Sequence, residues 1–163
     1  MMWSKLKQMT EERFVPELQG RVQVFQTVYR KSNDEEGEFW FSLDKKKLFS
    51  CGSMSFFAAE RNETERLRSS TEDLSPHELQ VRARETLMKQ GMMTVGDFNG
   101  LLRSSLNLSV DAMLEHDCPL IRGLALIDSR LGRRRLEQMS VSGEHEFVSQ
   151  MHSTRRAAKR GEI

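Results

Sequence analysis

The chain has 163 residues, which is enough for one domain with a substantial buried core. Hydrophobic residues make up 37% of it and charged residues 30%, a balance typical of a folded globular protein and not of a disordered one. The formal net charge of +1 excludes the strong overall field that would by itself indicate binding to nucleic acid or to a membrane surface.

The sequence predicts a cytosolic protein. Its two cysteines, Cys51 and Cys118, belong to no zinc-binding spacing, so we expect both thiols to stay reduced. The first residues lack the continuous apolar segment of a signal peptide. No apolar run in the sequence approaches the roughly 18–20 residues needed to cross a bilayer, so we expect no membrane association.

The first part of the sequence predicts one helix followed by a small antiparallel sheet. Apolar residues recur every three or four positions over 3–14, which indicates a short amphipathic helix that ends before Pro16. Three strands are predicted from alternating β-branched and aromatic residues, at 20–30, 39–43 and 47–51. A polar, acidic hairpin connection over 31–38 joins the first two. Such a meander needs a second layer on its apolar face.

The remainder of the sequence predicts helices. Ser75, Pro76 and Glu78 are typical of a helix start, with serine as the N-cap and glutamate at the position that completes a capping box. Apolar residues form one stripe along the clearest helix, which begins at Pro119. The segment 54–70 is predicted as a helix, although its first residues could also extend the sheet. The predicted helices cover 54–70, 75–89, 94–106, 110–117, 119–136 and 146–163.

These elements predict a single α+β domain over residues 1–163. We expect a helix and the sheet in 1–51, a helical block in 54–136 that packs on the sheet, and a loop with a weak C-terminal helix in 137–163.

Four stretches of the sequence resemble a known family. They are "MWSKLK", "GRVQVFQTVYR", "FWFSLDKKKLFS" and, most specifically, "NLSVDAMLEHDCPLIRGLALIDSRLGRRRL" at 107–136. The chain is similar in these stretches to a family of small bacterial proteins that have no assigned function. The resemblance implies a fold and a bacterial origin, and it implies no activity.

The stretch "LIDSRLGRRRLEQ" at 126–138 is the most basic part of the predicted Pro119 helix. Arg130, Arg133 and Arg134 share its polar face. The ordinary interpretation is a solvated surface with cations near a helix C-terminus, where the dipole stabilises each of them by about 0.3–1 kcal/mol. The alternatives are a phosphate-binding edge made of guanidinium groups and a docking surface for a protein.

Asp128 and Arg135 project from the apolar side of the same predicted helix. They are two turns apart, about 10 Å along the axis, and Gly132 between them leaves room for an arginine to fold back. A partly buried charge is costly unless it is paired. We therefore expect Asp128 to form a structural ion pair with Arg135 or with an arginine from another helix.

Trp40 and Tyr29 are the aromatic candidates for a binding surface. Phe39 and Phe41 alternate with Trp40, so both faces of the sheet carry aromatic residues, and at least one face must pack against helices. The other face could bind a protein, because Trp, Tyr and Arg are enriched in binding hot spots. It could also stack nucleic-acid bases, or both residues could belong to the core.

Residues that could carry catalysis are scattered along the chain. His116 and Cys118 are two positions apart, so they diverge on a helix, and Cys51 is expected to be buried. No metal-ligand spacing, no nucleophile motif and no glycine-rich phosphate loop is present. The sequence therefore predicts no catalytic residue, no cofactor and no metal.

The preferred function is a non-enzymatic interaction module that binds another protein through the aromatic sheet face or the basic C-terminal surface. The first alternative is nucleic-acid binding through the arginines at 130, 133 and 134 and the basic residues of 155–160. The second is an enzyme of unknown class, which would need a pocket that gathers titratable side chains from separate elements.

Overall fold

The computed structural model describes residues 1–29, 36–70 and 73–161. Within them an N-terminal helix precedes three strands and a series of helices, which confirms the predicted α+β class. The strands are β1 (Val22–Val28), β2 (Gly37–Leu43) and β3 (Lys46–Gly52). The helices are α1 (Trp3–Glu11), α2 (Ser53–Ser70), α3 (Pro76–Lys89), α4 (Val95–Ser105), α5 (Val110–Leu114), α6 (Pro119–Ile127), α7 (Arg133–Gln138) and α8 (Glu146–Arg160). Most of the predicted connection at 31–38 lies outside the described residues, as do the last two residues of the predicted final helix.

The sheet is an antiparallel meander with the strand order β1-β2-β3. Phe25 of β1 lies opposite Trp40 of β2, and Val24 lies opposite Phe41, so the two strands present alternating residues to each face. Asp44 and Lys45 form the turn between β2 and β3 with positive φ angles of 48° and 69°, the conformation that a two-residue hairpin turn requires.

Aromatic residues join the inner face of the sheet to the helices. The ring of Phe98 from α4 stacks on Phe39, with centroids 4.0 Å apart and an interplanar angle of 7°. The ring of Phe147 from α8 lies 4.6 Å from that of Phe41. All four side chains are fully buried, so helices α4 and α8 supply the second layer that the sheet needs.

Helix α8 is an integral part of the core and not the weak segment expected from its sequence. Phe147, Val148 and Met151 are buried, and the helix ends at Gly161 in the left-handed conformation. Gly123 of α6 allows the close approach of α8, because a Cβ atom at this position would lie 2.5 Å from the ring of Phe147.

The predicted helix over 119–136 is interrupted. Helix α6 ends at Ile127, Asp128 adopts an extended conformation, and α7 begins at Arg133. Asp128 forms a β-bridge with Phe14, and its side chain accepts the backbone N–H of Arg130. An aspartate that bonds to a nearby backbone amide competes with helix continuation, and here the bridge to another segment supports the break.

Candidate functional site

The basic stretch at 126–138 forms a junction between helices. Asp128 is 2% exposed, and its carboxylate accepts hydrogen bonds from the Nε and Nη2 atoms of Arg130 at 3.0 and 2.7 Å. The hydrogen bond from Arg130 to Asp128 raises the pKa of this guanidinium. Nη1 of Arg130 also donates to the carbonyl of Leu108 at 2.9 Å. The Asp128 carboxylate is therefore compensated by a bidentate ion pair with Arg130, as a buried charge requires.

The partner predicted for Asp128 was wrong. Arg135 forms an exposed ion pair with Asp111 of α5, and Asp128 is paired with Arg130. The prediction assumed a continuous helix with Asp128 and Arg135 on one side. The break after Ile127 removes that geometry and brings Arg130, only two positions away, back onto the carboxylate.

A second buried guanidinium stabilises the same junction, and it belongs to the 155–160 stretch that was predicted as a surface for nucleic acid. Arg155 of α8 is 9% exposed and donates to the carbonyls of Leu126, Asp128 and Leu131 at 2.7, 2.8 and 2.6 Å. Burial lowers the pKa of Arg155, and the negative charge of Asp128 acts in the opposite direction. Its position four residues after Met151, on the buried face of α8, is the sequence signal that could have identified it.

Two of the predicted binding arginines lie on the exposed surface of α7. Arg133 forms an ion pair with Glu137 at 2.7 Å, whereas Arg134 has no ion pair within the part of the chain that the structure describes. With Arg130 on Asp128 and Arg135 on Asp111, most of these guanidinium groups face protein carboxylates. The stretch therefore presents less uncompensated positive charge than its composition indicates.

The outer face of the sheet carries a row of four side chains. Phe25 and Trp40 stack with ring centroids 5.3 Å apart and an interplanar angle of 15°. The ammonium group of Lys7 lies 4.5 Å from the centre of the Phe25 ring, and that of Lys47 lies 4.7 Å from the Trp40 ring. Two cation–π contacts thus flank the pair. Tyr29, which follows β1, is 51% exposed.

This row leaves little ring surface for a base to stack on. Each of the two rings faces the other and also contacts a lysine, and Lys7 and Lys47 are in turn paired with Glu11 and Glu38. A base that stacked on either ring would compete with these lysines. Trp40 is therefore half-buried among its neighbours, while Tyr29 is the more accessible of the two predicted aromatic residues.

An apolar groove of about 490 Å³, which no pattern in the sequence had predicted, lies between α3 and α4. Phe56 of α2 and Met93 are buried at its floor. Its walls are formed by Val81, Arg84, Glu85 and Met88 from α3 and by Gly96, Asp97, Gly100, Leu101 and Ser104 from α4. Val81 is 42% exposed, and beyond the adjoining backbone of α4 no atom lies within 4 Å of where a Cβ atom of Gly100 would stand. The groove is thus open to solvent between the two helices, and much of its lining is apolar.

The cysteines and histidines do not assemble a reactive centre. Burial raises the pKa of both thiols, Cys51 and Cys118, which disfavours the nucleophilic thiolate. Across residues 1–29, 36–70 and 73–161, no group of three or more histidine, cysteine, aspartate or glutamate side chains is placed to hold a metal ion. None of the helices in these ranges combines the length and apolar character that a bilayer crossing requires.

The fold and its surfaces define a small α+β protein with a helical groove. Residues 2–156 match the model of the SF0329 protein family, so the chain belongs to this family, and the resemblance seen in the sequence is confirmed. No curated protein and no solved structure matches the chain.

Proposed function

We propose that the chain is a protein-binding module and that its docking site is the groove between α3 and α4. The observation that carries this proposal is the open apolar groove itself. Val81, Met88 and Leu101 line it, while Phe56 and Met93 at the floor are held in place by the core. Apolar surface that stays accessible in a concave site favours binding, because covering it removes that surface from water.

The chemistry of the walls supports a protein partner more than a small substrate. Met88 is only half-buried, and its flexible and polarizable side chain can adapt to different apolar surfaces. The charged residues of the groove lie on its walls and do not form a catalytic arrangement. Arg84 is hydrogen-bonded to Glu60, and Asp97 accepts a hydrogen bond from the hydroxyl of Thr94. The groove therefore replaces the aromatic sheet face and the basic C-terminal surface as the preferred docking surface.

The same proposal includes the cellular compartment, which we propose to be the cytosol. Cys51 and Cys118 are both free and buried, which is typical of proteins in a reducing cytosol. A cytosolic location in a bacterium is consistent with this state and with the family resemblance.

Substitution of Gly100 by leucine provides the direct test. A Cβ atom at this position meets open space, so the leucine side chain would project into the groove, and replacing a helical glycine also stabilises the helix by about 0.5–1 kcal/mol. Tagged wild-type protein, Gly100→Leu and a matched control, Ala58→Leu on the exposed face of α2, would capture proteins from native lysate with and without nuclease. We expect wild type and the control to retain the same nuclease-insensitive proteins, and Gly100→Leu to lose them.

Two further outcomes would contradict the proposal. If Gly100→Leu retains the proteins but Trp40→Ala or Tyr29→Ala loses them, the docking surface is the outer face of the sheet. If nuclease removes everything that is captured, nucleic acid is the ligand. Thermal melting of each variant checks that a loss of binding is not a loss of folding.

A further inference from the structure

The charges around the groove indicate what kind of partner it accepts. Arg84 contributes the positive charge of the lining, and this guanidinium is engaged: its Nε donates to Glu60 at 2.5 Å, and its Cζ lies 5.6 Å from the centre of the Phe56 ring. Nη1 of Arg84 also lies 4.0 Å from the carboxylate of Asp97. The charge of Arg84 is therefore compensated mainly by Glu60, which lies much closer to it than Asp97 does.

Two carboxylates remain to face a ligand. Glu85 is exposed and forms no ion pair with any residue in the described ranges. The side chain of Asp97 is 54% exposed on the opposite wall, and its carboxylate lies 4.0 Å from Nη1 of Arg84, at the outer limit for an ion pair. The groove thus combines an apolar floor with negative charge on both sides, which favours a ligand with an apolar stripe and flanking positive charges.

The shape of the groove favours a helix over an extended segment. Gly96, Gly100 and Ser104 lie four residues apart along one line of α4, and small residues at this spacing allow another backbone to approach closely. From Gly96 to Ser104 the helix rises by about 12 Å, slightly more than two turns. Both walls are helices whose backbone groups are already bonded, so an extended peptide would bury unpaired amides, whereas a helix satisfies its own.

We propose that the groove binds an amphipathic helix of a partner protein, with an apolar stripe against Val81, Met88 and Leu101 and with lysine or arginine residues that meet Glu85 and Asp97. This inference rests on the proposed function and specifies the partner's chemistry. In this mode of recognition, a helix binds in a groove through apolar side chains at positions i, i+4 and i+7.

A pair of synthetic helical peptides tests the inference. Both would be cross-linked helices of about 16 residues, because shorter helices are only marginally stable in water. They would share one apolar stripe and would carry either lysine or glutamate beside it. Binding would be measured by fluorescence polarisation, and the site by methyl NMR signals of Val81, Met88 and Met93.

We expect the lysine peptide to bind saturably, to shift the methyl signals of these three residues and to bind about tenfold more tightly than the glutamate peptide. The difference is modest because exposed ion pairs are individually weak. The variant Glu85→Lys should remove most of the preference, whereas Glu115→Lys, an exposed substitution outside the groove, should leave it unchanged.

Equal affinity for the two peptides, or methyl shifts elsewhere in the protein, would overturn the inference. So would a dimer in sedimentation analysis that Gly100→Leu dissociates, because the occupant would then be a second copy of the chain. If neither peptide binds but capture from lysate still depends on Gly100, the proposed function stands and the partner chemistry is wrong. If capture is also independent of Gly100, both proposals fail.

Discussion

Arg155 makes a quantitative prediction about what holds the junction at Asp128 together. Its guanidinium donates to three carbonyl oxygens from 2.6 to 2.8 Å away, around the end of α6 and the turn that leads to α7. In Arg155→Met the carbonyls of Leu126 and Leu131 lose the donor that Arg155 provides. The carbonyl of Asp128 keeps a second donor, the backbone N–H of Leu131.

The expected cost follows from these contacts. Two buried carbonyl groups without donors cost about 1–3 kcal/mol each. Methionine has a similar length and avoids the desolvation of a buried charge, which offsets part of the loss. We therefore expect the free energy of unfolding to fall by about 3 kcal/mol. With a urea m-value of about 2 kcal/mol/M, the midpoint of unfolding would fall by about 1.5 M.

The neighbouring residue provides the control for this experiment. Arg156 lies on the same helix and is exposed, so Arg156→Met should change the urea midpoint by less than about 0.3 M. Arg155→Lys should be intermediate, because one ammonium group cannot reach three separate carbonyl oxygens as the planar guanidinium does. A midpoint for Arg155→Met within about 0.5 M of wild type, or a lysine variant as stable as wild type, would refute the reasoning.

Three further substitutions test the packing of α8, the open position in α4 and the turn that precedes α6. Gly123→Ala should destabilise the protein by about 1–2 kcal/mol in urea unfolding, because its Cβ would clash with the ring of Phe147, whereas Gly100→Ala should stabilise it. Stability should also fall as the pH drops through the titration of His116, whose Nδ1 accepts the backbone N–H of Cys118 at 3.0 Å. Burial lowers the pKa of His116 in the folded protein below its ordinary value of about 6.5. The stabilisation that neutral His116 provides is therefore present above about pH 6.5, and it is lost as the pH falls through the pKa of the folded state. A chain with His116→Asn, which can accept the same bond, should lose less stability between pH 7.5 and 5.5, and an identical pH profile for both proteins would contradict this assignment.

The elements that could be predicted are those specified by neighbouring residues. Ser75 and Glu78 form the expected capping box, with both of its hydrogen bonds present. The alternation of Phe39, Trp40 and Phe41 correctly predicts that the sheet carries aromatic residues on both faces. These patterns are readable because a cap, a turn or a strand face depends on residues a few positions apart.

The break at Asp128 could not be predicted in the same way, because distant contacts produce it. The apolar stripe continues from Leu124 to Leu131, so local periodicity favours one unbroken helix. The bridge to Phe14 and the buried guanidinium of Arg155 stabilise the extended conformation, and both come from segments far away in the sequence. Tertiary contacts thus override local preference at this position. The predicted pairing with Arg135 failed for the same reason.

The sequence contains a signal for the groove in the apolar residues of α3, but that signal can be interpreted only once the fold is known. Leu79, Ala83 and Leu87 recur at four-residue spacing and are buried. Val81 and Met88, seven positions apart, point to the opposite side of the same helix, where they flank Arg84 and Glu85, so two sides of α3 carry apolar residues. A helix with two apolar stripes needs a neighbour for each of them. Within the described residues the first stripe is covered, while Val81 remains 42% exposed beside the open surface of Gly100. The second stripe is therefore the part of the fold that a partner helix would complete.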